Sequence, residues 1–321
     1  MTIKIIGTGI GLPDKEVSND ELAALTGLDT SDEWIRTMTG IGYRRLCQTE
    51  TLTDLSTTAA RAALAEAELD GSQIDYLICS TVSPDTRTPS LACSVAERIK
   101  ATCPAVDLNG ACAGFIYAID TAAALIAAGR AERILIVCSE KMSGLTDWTD
   151  RRTCVLFGDG SAACVVTAGN MLKYVHLQTQ ADSHVIRMDN GMGGNNPLAR
   201  DQAPASFIHM EGQKVFKYAV NIIEAEVRRA FDVCDLTPES IDYYLLHQAN
   251  LRIIDFAISR LKQPPEKFPT NIERFGNISS VSIPLLLHEM RQAGQVHPGD
   301  KFLLCAFGAG MTGGSAVLEW E

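Results

Sequence analysis

Short apolar runs alternate along this chain with longer segments whose apolar residues recur at helical spacing. Ile74–Ser80 is short and largely apolar, which is typical of a strand buried on both faces. Thr53–Glu68, just before it, is rich in alanine and places apolar residues three and four positions apart. The alternation predicts an α/β protein whose sheets are mainly parallel and covered by helices on both faces.

The same two patterns predict the remaining elements. Further strands are expected at Ile3–Gly7, Ala105–Leu108, Arg133–Cys138, Ala162–Thr167, Tyr243–Leu246, Lys301–Ala306 and Ser315–Trp320. Further helices are expected at Leu91–Ala101, Cys112–Ala128, Val215–Cys234, Ile253–Leu261 and Ser282–Ala293. The glycine- and asparagine-rich stretch Asp189–Ala205 is predicted to be a mobile surface loop.

The chain also repeats itself at an offset of 167 residues. Ala60–Tyr76 aligns with Val227–Tyr243, and both segments end in the tripeptide Ile-Asp-Tyr. The same offset, without a gap, places the apolar run Leu135–Cys138 on Phe302–Cys305. We interpret the repeat as an ancient duplication of one α/β unit. It predicts two domains, residues 1–170 and residues 171–321, that supply different catalytic groups.

Composition narrows the class of protein. A length of 321 residues suits two domains of about 150 residues each. The formal net charge of −11 argues against a nucleic-acid-binding protein, which is normally basic. No apolar run approaches the ~18 residues of a membrane-spanning helix, and no signal peptide is evident, so a cytoplasmic protein is expected. Ten cysteines without CxxC or Cys/His spacing predict free thiols and no metal site.

One cysteine has a setting that favours chemistry. Cys112 follows a predicted strand and opens a predicted helix. The helix N-terminus is expected to lower the pKa of its thiol, and the small neighbours Ala111, Ala113 and Gly114 are expected to leave the sulfur accessible. Cys112 is therefore the candidate nucleophile.

Two residues of the second copy are expected beside that cysteine. His247 ends a predicted strand, and the carboxyl ends of parallel strands are where α/β proteins place reacting groups. At an offset of 167, Gly110–Cys112 coincides with Asn277–Ser279, so both segments form the same corner in the two copies. A pseudo-twofold axis would then bring Asn277 to Cys112, with His247 nearby.

The glycine pattern near the C-terminus is not a dinucleotide fingerprint. Gly308–Gly313 satisfies GxGxxG, but a final strand follows it and no helix. A tight turn that presents the backbone N–H of Ala309 to an oxyanion is the better interpretation.

Two reaction classes use a cysteine, a histidine and an asparagine in this order. In papain-like hydrolases the histidine and asparagine lie ~130–150 residues after the cysteine, and His247 lies 135 residues after Cys112. The local hydrolase signature is absent, however, and the chain is duplicated. The other class forms carbon–carbon bonds through an acyl-cysteine. A catalytically silent scaffold is disfavoured by the intact set of Cys112, His247 and Asn277.

Several motifs distinguish between these classes, because they resemble those of β-ketoacyl-acyl carrier protein synthase III from end to end. They are Thr30–Ile35, Asp107–Phe115, Phe157–Gly160, His247–Asn250, Gly276-Asn277 and Phe307–Gly310. The resemblance implies a thiolase-like α/β fold, with two duplicated halves packed as a five-layer αβαβα sandwich. It also implies a homodimer.

The resemblance further implies an acyltransferase that joins an acyl-CoA primer to malonyl-acyl carrier protein by decarboxylating Claisen condensation. The backbone N–H groups of Cys112 and Ala309 would hold the first oxyanion, and His247 and Asn277 would hold the enolate. Acyl-CoA would be a substrate and no cofactor would be needed. A starter-unit ketosynthase of a polyketide or other specialised pathway stays open as an alternative.

Substrate-binding residues are implied in the same way. Trp34 and Arg151 would sandwich the CoA adenine, and the pantetheine tunnel would be lined by Met210, Phe216 and Asn250. The acyl pocket would include Phe157 and, across the dimer, Thr88, and an acidic carrier protein would dock on Lys217, Arg252 and Arg260.

Four positions depart from the family pattern, among them Gly313 in place of a bulky aromatic residue and Ile278 in place of a threonine. Met38 replaces an arginine that meets a CoA phosphate, for which Arg36 or Arg152 could compensate. Thr88 replaces the phenylalanine of acetyl-preferring members, so a primer longer or more branched than acetyl is expected.

Overall fold

A computed structural model of the protein describes residues 2–188 and 207–321. The predicted surface loop Asp189–Ala205 lies outside these residues. Thirteen strands within the described ranges are β1 Thr2–Gly11, β2 Glu16–Ser18, β3 Tyr43–Arg45, β4 Tyr76–Ser80, β5 Ala105–Leu108, β6 Arg133–Lys141, β7 Asp159–Gly169, β8 Leu172–Asp182, β9 Ile186–Arg187, β10 His209–Met210, β11 Tyr243–Leu246, β12 Lys301–Gly308 and β13 Gly310–Glu319.

The α-helices in the same ranges are α1 Asn19–Thr26, α2 Asp32–Thr39, α3 Leu52–Glu66, α4 Leu91–Ile99, α5 Gly114–Ala127, α6 Gly212–Cys234, α7 Leu251–Leu261, α8 Ile272–Phe275 and α9 Ser282–Gln292. Two short 3₁₀ segments matter for the site. We call Ala111–Ala113 the nucleophile turn and Ser279–Val281 the serine turn. Every strand and helix predicted from the sequence is present, most of them with shifted boundaries.

The strands form two mixed sheets and two small ribbons. The first sheet has the order β1-β7-β6-β4-β5 and the second has the order β11-β12-β13-β8. Only the β4–β5, β4–β6 and β11–β12 pairs are parallel, and the other pairs in both sheets are antiparallel. The prediction of mainly parallel sheets was wrong. A continuous apolar run marks any strand buried on both faces, and the tight turn at Ala309 can join only antiparallel strands.

Three apolar clusters define the layers. Residues of α5, α9 and both sheets share one central core. Residues of α3 and α4 cover the outer face of the first sheet, and residues of α6 and α7 cover the outer face of the second. The result is the five-layer αβαβα sandwich implied by the resemblance. The first sheet takes its strands from residues 2–169 and the second from 172–319, and on this basis we propose domains 1–170 and 171–321.

The duplication holds, but its register changes by one residue. The pairing of Tyr76 with Ile134 in the first sheet corresponds to that of Tyr243 with Phe302 in the second. The offset is therefore 167 for β4 and β11 but 168 for β6 and β12. The expectation of a single register without a gap was wrong, because a four-residue apolar run aligns equally well after a one-residue slip.

The shift changes which residues are equivalent at the corner. Ala111 and Ser279 both have φ near +48°, and each N–H is bonded by the side-chain oxygen of the asparagine two positions earlier, Asn109 or Asn277. Asn277 is thus the counterpart of Asn109, and the counterpart of Cys112 is Ser280 instead of Ser279. The predicted meeting of the two corners survives this correction.

Candidate active site

The nucleophile turn holds Cys112 between β5 and α5. Asn109 Oδ1 accepts a hydrogen bond from the Ala111 N–H at 3.3 Å, which fixes the start of the turn. Gly114 follows it because a Cβ at this position would collide with the hydroxyl of Ser80. Gly114, two residues after Cys112, therefore lies against Ser80, the last residue of β4.

The hairpin between β12 and β13 lies against the other side of this turn. A Cβ on Gly308 would come 2.6 Å from the Cys112 nitrogen and 3.2 Å from the Cys112 Cβ, so only glycine fits. Thr312 Oγ1 donates a hydrogen bond at 3.0 Å to the carbonyl oxygen of Gly110. Ala309, the predicted oxyanion residue, therefore follows a residue that touches the nucleophile. Gly308 and Thr312 were not among the predicted site residues.

The prediction of a lowered thiol pKa was wrong for Cys112. The residue keeps some exposed surface, but protein surrounds its sulfur, and burial raises the pKa of Cys112 to about 12. A hydrogen bond with the Ser279 side chain favours the thiolate and opposes this rise, whereas the nearby Glu140 adds to it. The resting nucleophile is consequently a thiol.

His247 directly follows β11 and is 2% exposed. Its N–H donates to the carbonyl oxygen of Cys305 at 2.9 Å, and its ring meets the ring of Phe307 edge-on at a centroid distance of 5.3 Å. Burial lowers the pKa of His247 to about 3, so the imidazole is neutral near pH 7. A thiol and an imidazole with these pKa values do not form a thiolate–imidazolium pair. His247 is suited to donating a hydrogen bond.

Asn277 is fixed on both its backbone and its side chain. Its N–H donates to the carbonyl oxygen of Leu156 at 2.8 Å, and its carbonyl oxygen accepts from the N–H of Gly158 at 3.2 Å. Its side-chain Oδ1 accepts from the Ser279 N–H at 2.8 Å. Because a backbone N–H requires an acceptor, this bond assigns Oδ1 and leaves Nδ2 as the outward donor.

The elements that carry Cys112, His247 and Asn277 meet at the nucleophile turn. The nucleophile turn contacts the serine turn, which follows Asn277, and it also contacts β12, to which His247 is bonded. The structure thus joins the elements that carry the nucleophile and the two candidate donors.

Glu140 is a buried carboxylate at the site that the sequence reasoning missed, since no carboxylate was expected near Cys112 and Asn277. Its side chain is fully buried, and burial raises the pKa of Glu140 to about 7. Its carboxylate accepts hydrogen bonds from the hydroxyls of Ser279 and Ser280, each at 3.2 Å. The sequence does contain one indication of its burial: Glu140 is a charged residue that lies just beyond the apolar run predicted as the strand Arg133–Cys138.

Trp34 and Arg151, the predicted adenine sandwich, lie in direct contact. The Arg151 guanidinium carbon is 4.5 Å from the Trp34 ring centroid, and Arg151 Nη1 donates to the carbonyl oxygen of Asp29 at 2.6 Å. Two flat groups that stack on opposite faces of a base lie about 7 Å apart, which is twice the usual contact distance. The pair must therefore open by about 2.5 Å for adenine to lie between its members.

The predicted substrate-binding residues divide into two groups. Trp34, Met210 and Phe157 belong to one apolar cluster, and Phe157 also bridges to Asn277, which connects that cluster to the corner. Asn250 lies at the N-terminus of α7, where its amide accepts from the Arg252 N–H and donates to the carbonyl oxygen of Met38.

Phe216 lies apart from that cluster. It is 37% exposed on α6 and packs edge-on against Phe256 of α7 at a centroid distance of 6.2 Å. Arg260 stacks over the same Phe256 ring and lies 3.9 Å from a carboxylate oxygen of Glu224.

The other predicted contacts are on the surface of the single chain. Lys217 on α6 and Arg252 on α7 are exposed, as is Thr88 in the segment before α4. The cations suggested to compensate for Met38 already have partners. Arg36 forms ion pairs with Asp32 and Glu273, and Arg152 forms one with Asp150, which the sequence does not reveal.

Other kinds of site are not evident in the described residues. Across 2–188 and 207–321, no three His, Cys, Asp or Glu side chains group as metal ligands would. No helix in these ranges is long and apolar enough to cross a bilayer. All ten cysteines are free thiols.

Comparison with known proteins gives one consistent result. Residues 106–183 match the family described as 3-oxoacyl-[acyl-carrier-protein (ACP)] synthase III, and residues 231–320 match the C-terminal part of that enzyme. The β-ketoacyl-[acyl-carrier-protein] synthase III of Aquifex aeolicus (strain VF5) is 40% identical over 321 residues, which is 100% of each chain.

Solved structures agree with the sequence matches. The crystal structure of 3-oxoacyl-[acyl-carrier-protein] synthase III from Aquifex aeolicus VF5 has a TM-score of 0.91 at 39% identity, covering 99% of this chain and 100% of that one. The priming β-ketosynthase from the R1128 polyketide biosynthetic pathway has a TM-score of 0.90 at 32% identity, covering 100% of this chain and 97% of that one. The chain therefore belongs to the β-ketoacyl-[acyl-carrier-protein] synthase III family.

Proposed function

We propose that this protein condenses an acyl-CoA primer with malonyl-acyl carrier protein, releasing CO₂ and CoA and forming 3-oxoacyl-acyl carrier protein. This is the initiating step of type II fatty acid synthesis. The observation that carries the proposal is the convergence of the nucleophile turn, the β12–β13 hairpin and the Asn277 corner. Membership of the synthase III family supports the same reaction.

The first half-reaction transfers the acyl group to Cys112. Its sulfur attacks the thioester carbon, and CoA leaves. The oxyanion formed in between accepts hydrogen bonds from the backbone N–H groups of Cys112 and Ala309. The fit of Gly308 against the Cys112 backbone supports this pairing, because it holds the two N–H groups on adjacent segments.

The second half-reaction begins when malonyl-acyl carrier protein replaces CoA. His247 Nε2 and Asn277 Nδ2 donate hydrogen bonds to its thioester carbonyl, and loss of CO₂ places negative charge on that oxygen. The resulting enolate carbon attacks the acyl-cysteine. A neutral imidazole suits this role, because it donates a hydrogen bond without being a strong acid.

Substrate access follows from the surface residues. We place the CoA adenine at Trp34 and Arg151 and the pantetheine beside Met210, Phe216 and Asn250. The carrier protein docks on Lys217, Arg252 and Arg260, which supply positive charge on an otherwise acidic protein. A cytoplasmic homodimer, without a resident cofactor, completes the proposal.

Trp34→Ala is expected to raise the KM for acyl-CoA about tenfold and leave kcat nearly unchanged. A stack of Arg151 and adenine on the indole contributes ~1.4 kcal/mol, which corresponds to that factor. Steady-state kinetics at fixed malonyl-acyl carrier protein measure it. Trp148→Phe, which removes another indole together with its hydrogen bond to the carbonyl oxygen of Ser143, is the control. An unchanged KM would remove Trp34 from the CoA site.

Thr88→Phe is expected to narrow the range of primers towards acetyl. If Thr88 completes the acyl pocket of a partner subunit, the added ring fills space that a longer or branched chain needs. Competition between acetyl-CoA and isobutyryl-CoA measures the effect, which we expect to be 10–200-fold, the usual value of one or two methylenes in a pocket. An unchanged ratio would contradict the placement, and Thr86→Phe in the same segment is the control.

The test of the proposed function is a loading assay. The protein is incubated with acyl-CoAs from acetyl to octanoyl, straight and branched, and its intact mass and labelled peptide are determined. Adducts on Cys112 that are absent from Cys112→Ser establish the acyl-enzyme. If no acyl-CoA loads but an acyl-carrier protein does, the starter-unit ketosynthase becomes the better assignment, an alternative that the similarity to the R1128 priming enzyme favours.

A further inference from the structure

The buried carboxylate of Glu140 has no part in the condensation steps described above. Its Oε1 accepts hydrogen bonds from the Ser279 and Ser280 hydroxyls, and its Oε2 accepts from the Ser83 hydroxyl at 2.7 Å and the Val82 N–H at 3.0 Å. All four donors are neutral. A buried carboxylate without a cationic partner takes up a proton more readily than an exposed one.

Ser279 connects this carboxylate to the nucleophile. The serine turn packs against the nucleophile turn, and the Ser279 side chain is a hydrogen-bonding neighbour of the Cys112 sulfur. Its hydroxyl is also 3.2 Å from Glu140 Oε1. A hydroxyl has one hydrogen, so it either donates to Glu140 and accepts from the thiol, or accepts from protonated Glu140 and donates to the thiolate. These two arrangements differ by one transferred proton.

We propose that Ser279 relays the Cys112 proton to Glu140, which stores it for as long as the cysteine is acylated. The inference rests on the proposed condensation. As Cys112 Sγ bonds to the thioester carbon, its S–H bond breaks. Ser279 Oγ takes that proton and gives its own hydrogen to Glu140 Oε1. The bond from the acyl carbon to the CoA sulfur breaks, and CoA leaves as a thiolate that takes a proton from water.

The second half-reaction returns the stored proton. When the enolate carbon attacks, the bond between the acyl group and Cys112 Sγ breaks and its electron pair stays on sulfur. Ser279 then donates its hydrogen to the thiolate and receives one from Glu140. The single proton consumed over the cycle is the one on free CoA. Glu140 is neutral while the enolate forms, which removes a nearby charge of the same sign.

Of the titratable groups at this site, Glu140 is the best suited to store the Cys112 proton. His247, with its pKa lowered to about 3, does not retain a proton near pH 7, whereas Glu140, with its pKa raised to about 7, can both take up and release one there. Two thiols are affected by the charge of Glu140, that of Cys112 in the nucleophile turn and that of Cys138 on the same strand as Glu140. Neither thiol is charged in the resting enzyme, because burial raises both pKa values.

The decisive comparison is between Ser279→Ala and Ser280→Ala. Both variants lose a 3.2 Å hydrogen bond to the same Glu140 oxygen, but only Ser279 also reaches the Cys112 sulfur. The acylation rate is measured by rapid-quench mass spectrometry with acetyl-, isobutyryl- or hexanoyl-CoA, whichever loads fastest. Ser279→Ala is expected to lose ~10²-fold, the usual contribution of a positioned base, while Ser280→Ala keeps most of the rate. Ala111 has the same φ as Ser279, so alanine suits the backbone there.

Glu140→Gln provides a second test, because the relay and the simple loss of a negative charge change the acylation rate in opposite directions. The Glu140 charge raises the pKa of Cys112, so removing the charge alone would speed acylation. The relay predicts slower acylation. It also predicts a protonated-carboxyl band in the infrared difference spectrum between acylated and free enzyme, and this band is lost in Glu140→Gln.

Each outcome has one meaning. Equal rates for the two serine variants, faster acylation of Glu140→Gln, or no carboxyl band in the acylated wild type would overturn the relay and leave the proposed function intact. A wild type that accepts no acyl group from CoA would overturn the proposed function and the relay with it.

Discussion

His247→Ala is expected to lose condensation activity by about 10²–10³-fold while still loading an acyl group onto Cys112 at nearly the wild-type rate. A donor to a developing oxyanion contributes about 2.7–4 kcal/mol, and His247 serves only the oxyanion of the decarboxylation step. Burial lowers the pKa of His247 to about 3, which also makes its ring too weak a base for the thiol near pH 7. Loading is measured by intact mass, and condensation by CO₂ release from malonyl-acyl carrier protein.

Asn277→Ala provides a second test of the same step. Its effect is expected to be similar in size, because Nδ2 is the other donor to the same oxygen. Part of the loss in this variant comes from the missing bond between Oδ1 and the Ser279 N–H, so a thermal melt is measured alongside. His297→Ala, at an exposed histidine, is the control for the loss of an imidazole. A folded His247→Ala or Asn277→Ala enzyme that fails to load Cys112 would show that the roles are assigned incorrectly.

The sequence predicts best those elements whose own residues and immediate neighbours mark where they begin and end. Ala105–Leu108 and Tyr243–Leu246 have the predicted boundaries because Pro104 and Asn109 flank the first and Asp242 and His247 flank the second. β8, Leu172–Asp182, was not predicted. It is an edge strand whose polar and apolar residues largely alternate, and the prediction relied on continuous apolar runs.

The site residues likewise differ in how far local sequence could identify them. Cys112, His247 and Asn277 each stand at the end or start of an element, where local sequence has a strong signal. Glu140 and Ser279 matter through partners far away in the chain, 139 residues apart in their own case. Their burial, and hence the pKa of Glu140, depends on packing between the two halves, which no local pattern contains. The same reason explains the thiol pKa, because desolvation of Cys112 outweighs the helix terminus that the sequence does indicate.

Gly308→Ala is expected to reduce loading of Cys112 itself by ~10²-fold, in contrast to the histidine variant. The added methyl group would lie 2.6 Å from the Cys112 nitrogen and 3.1 Å from the Ala111 Cβ, so the nucleophile turn has to move. A displacement of about 1 Å at a reacting group is sufficient for a loss of this size. The atoms that move include the N–H group of Cys112, which holds the first oxyanion in the proposed mechanism.

The measurement is the acyl-loading rate at saturating acyl-CoA, with a thermal melt to separate misplacement from unfolding. Gly144→Ala is the matched control, because that glycine is exposed and its added methyl group meets no atom within 4 Å. If Gly308→Ala loads normally but fails to condense, the turn tolerates the methyl group and the hairpin serves the second half-reaction. If it fails to load while His247→Ala loads, the two half-reactions belong to opposite sides of the corner: the hairpin for acylation, and the His247–Asn277 pair for decarboxylation.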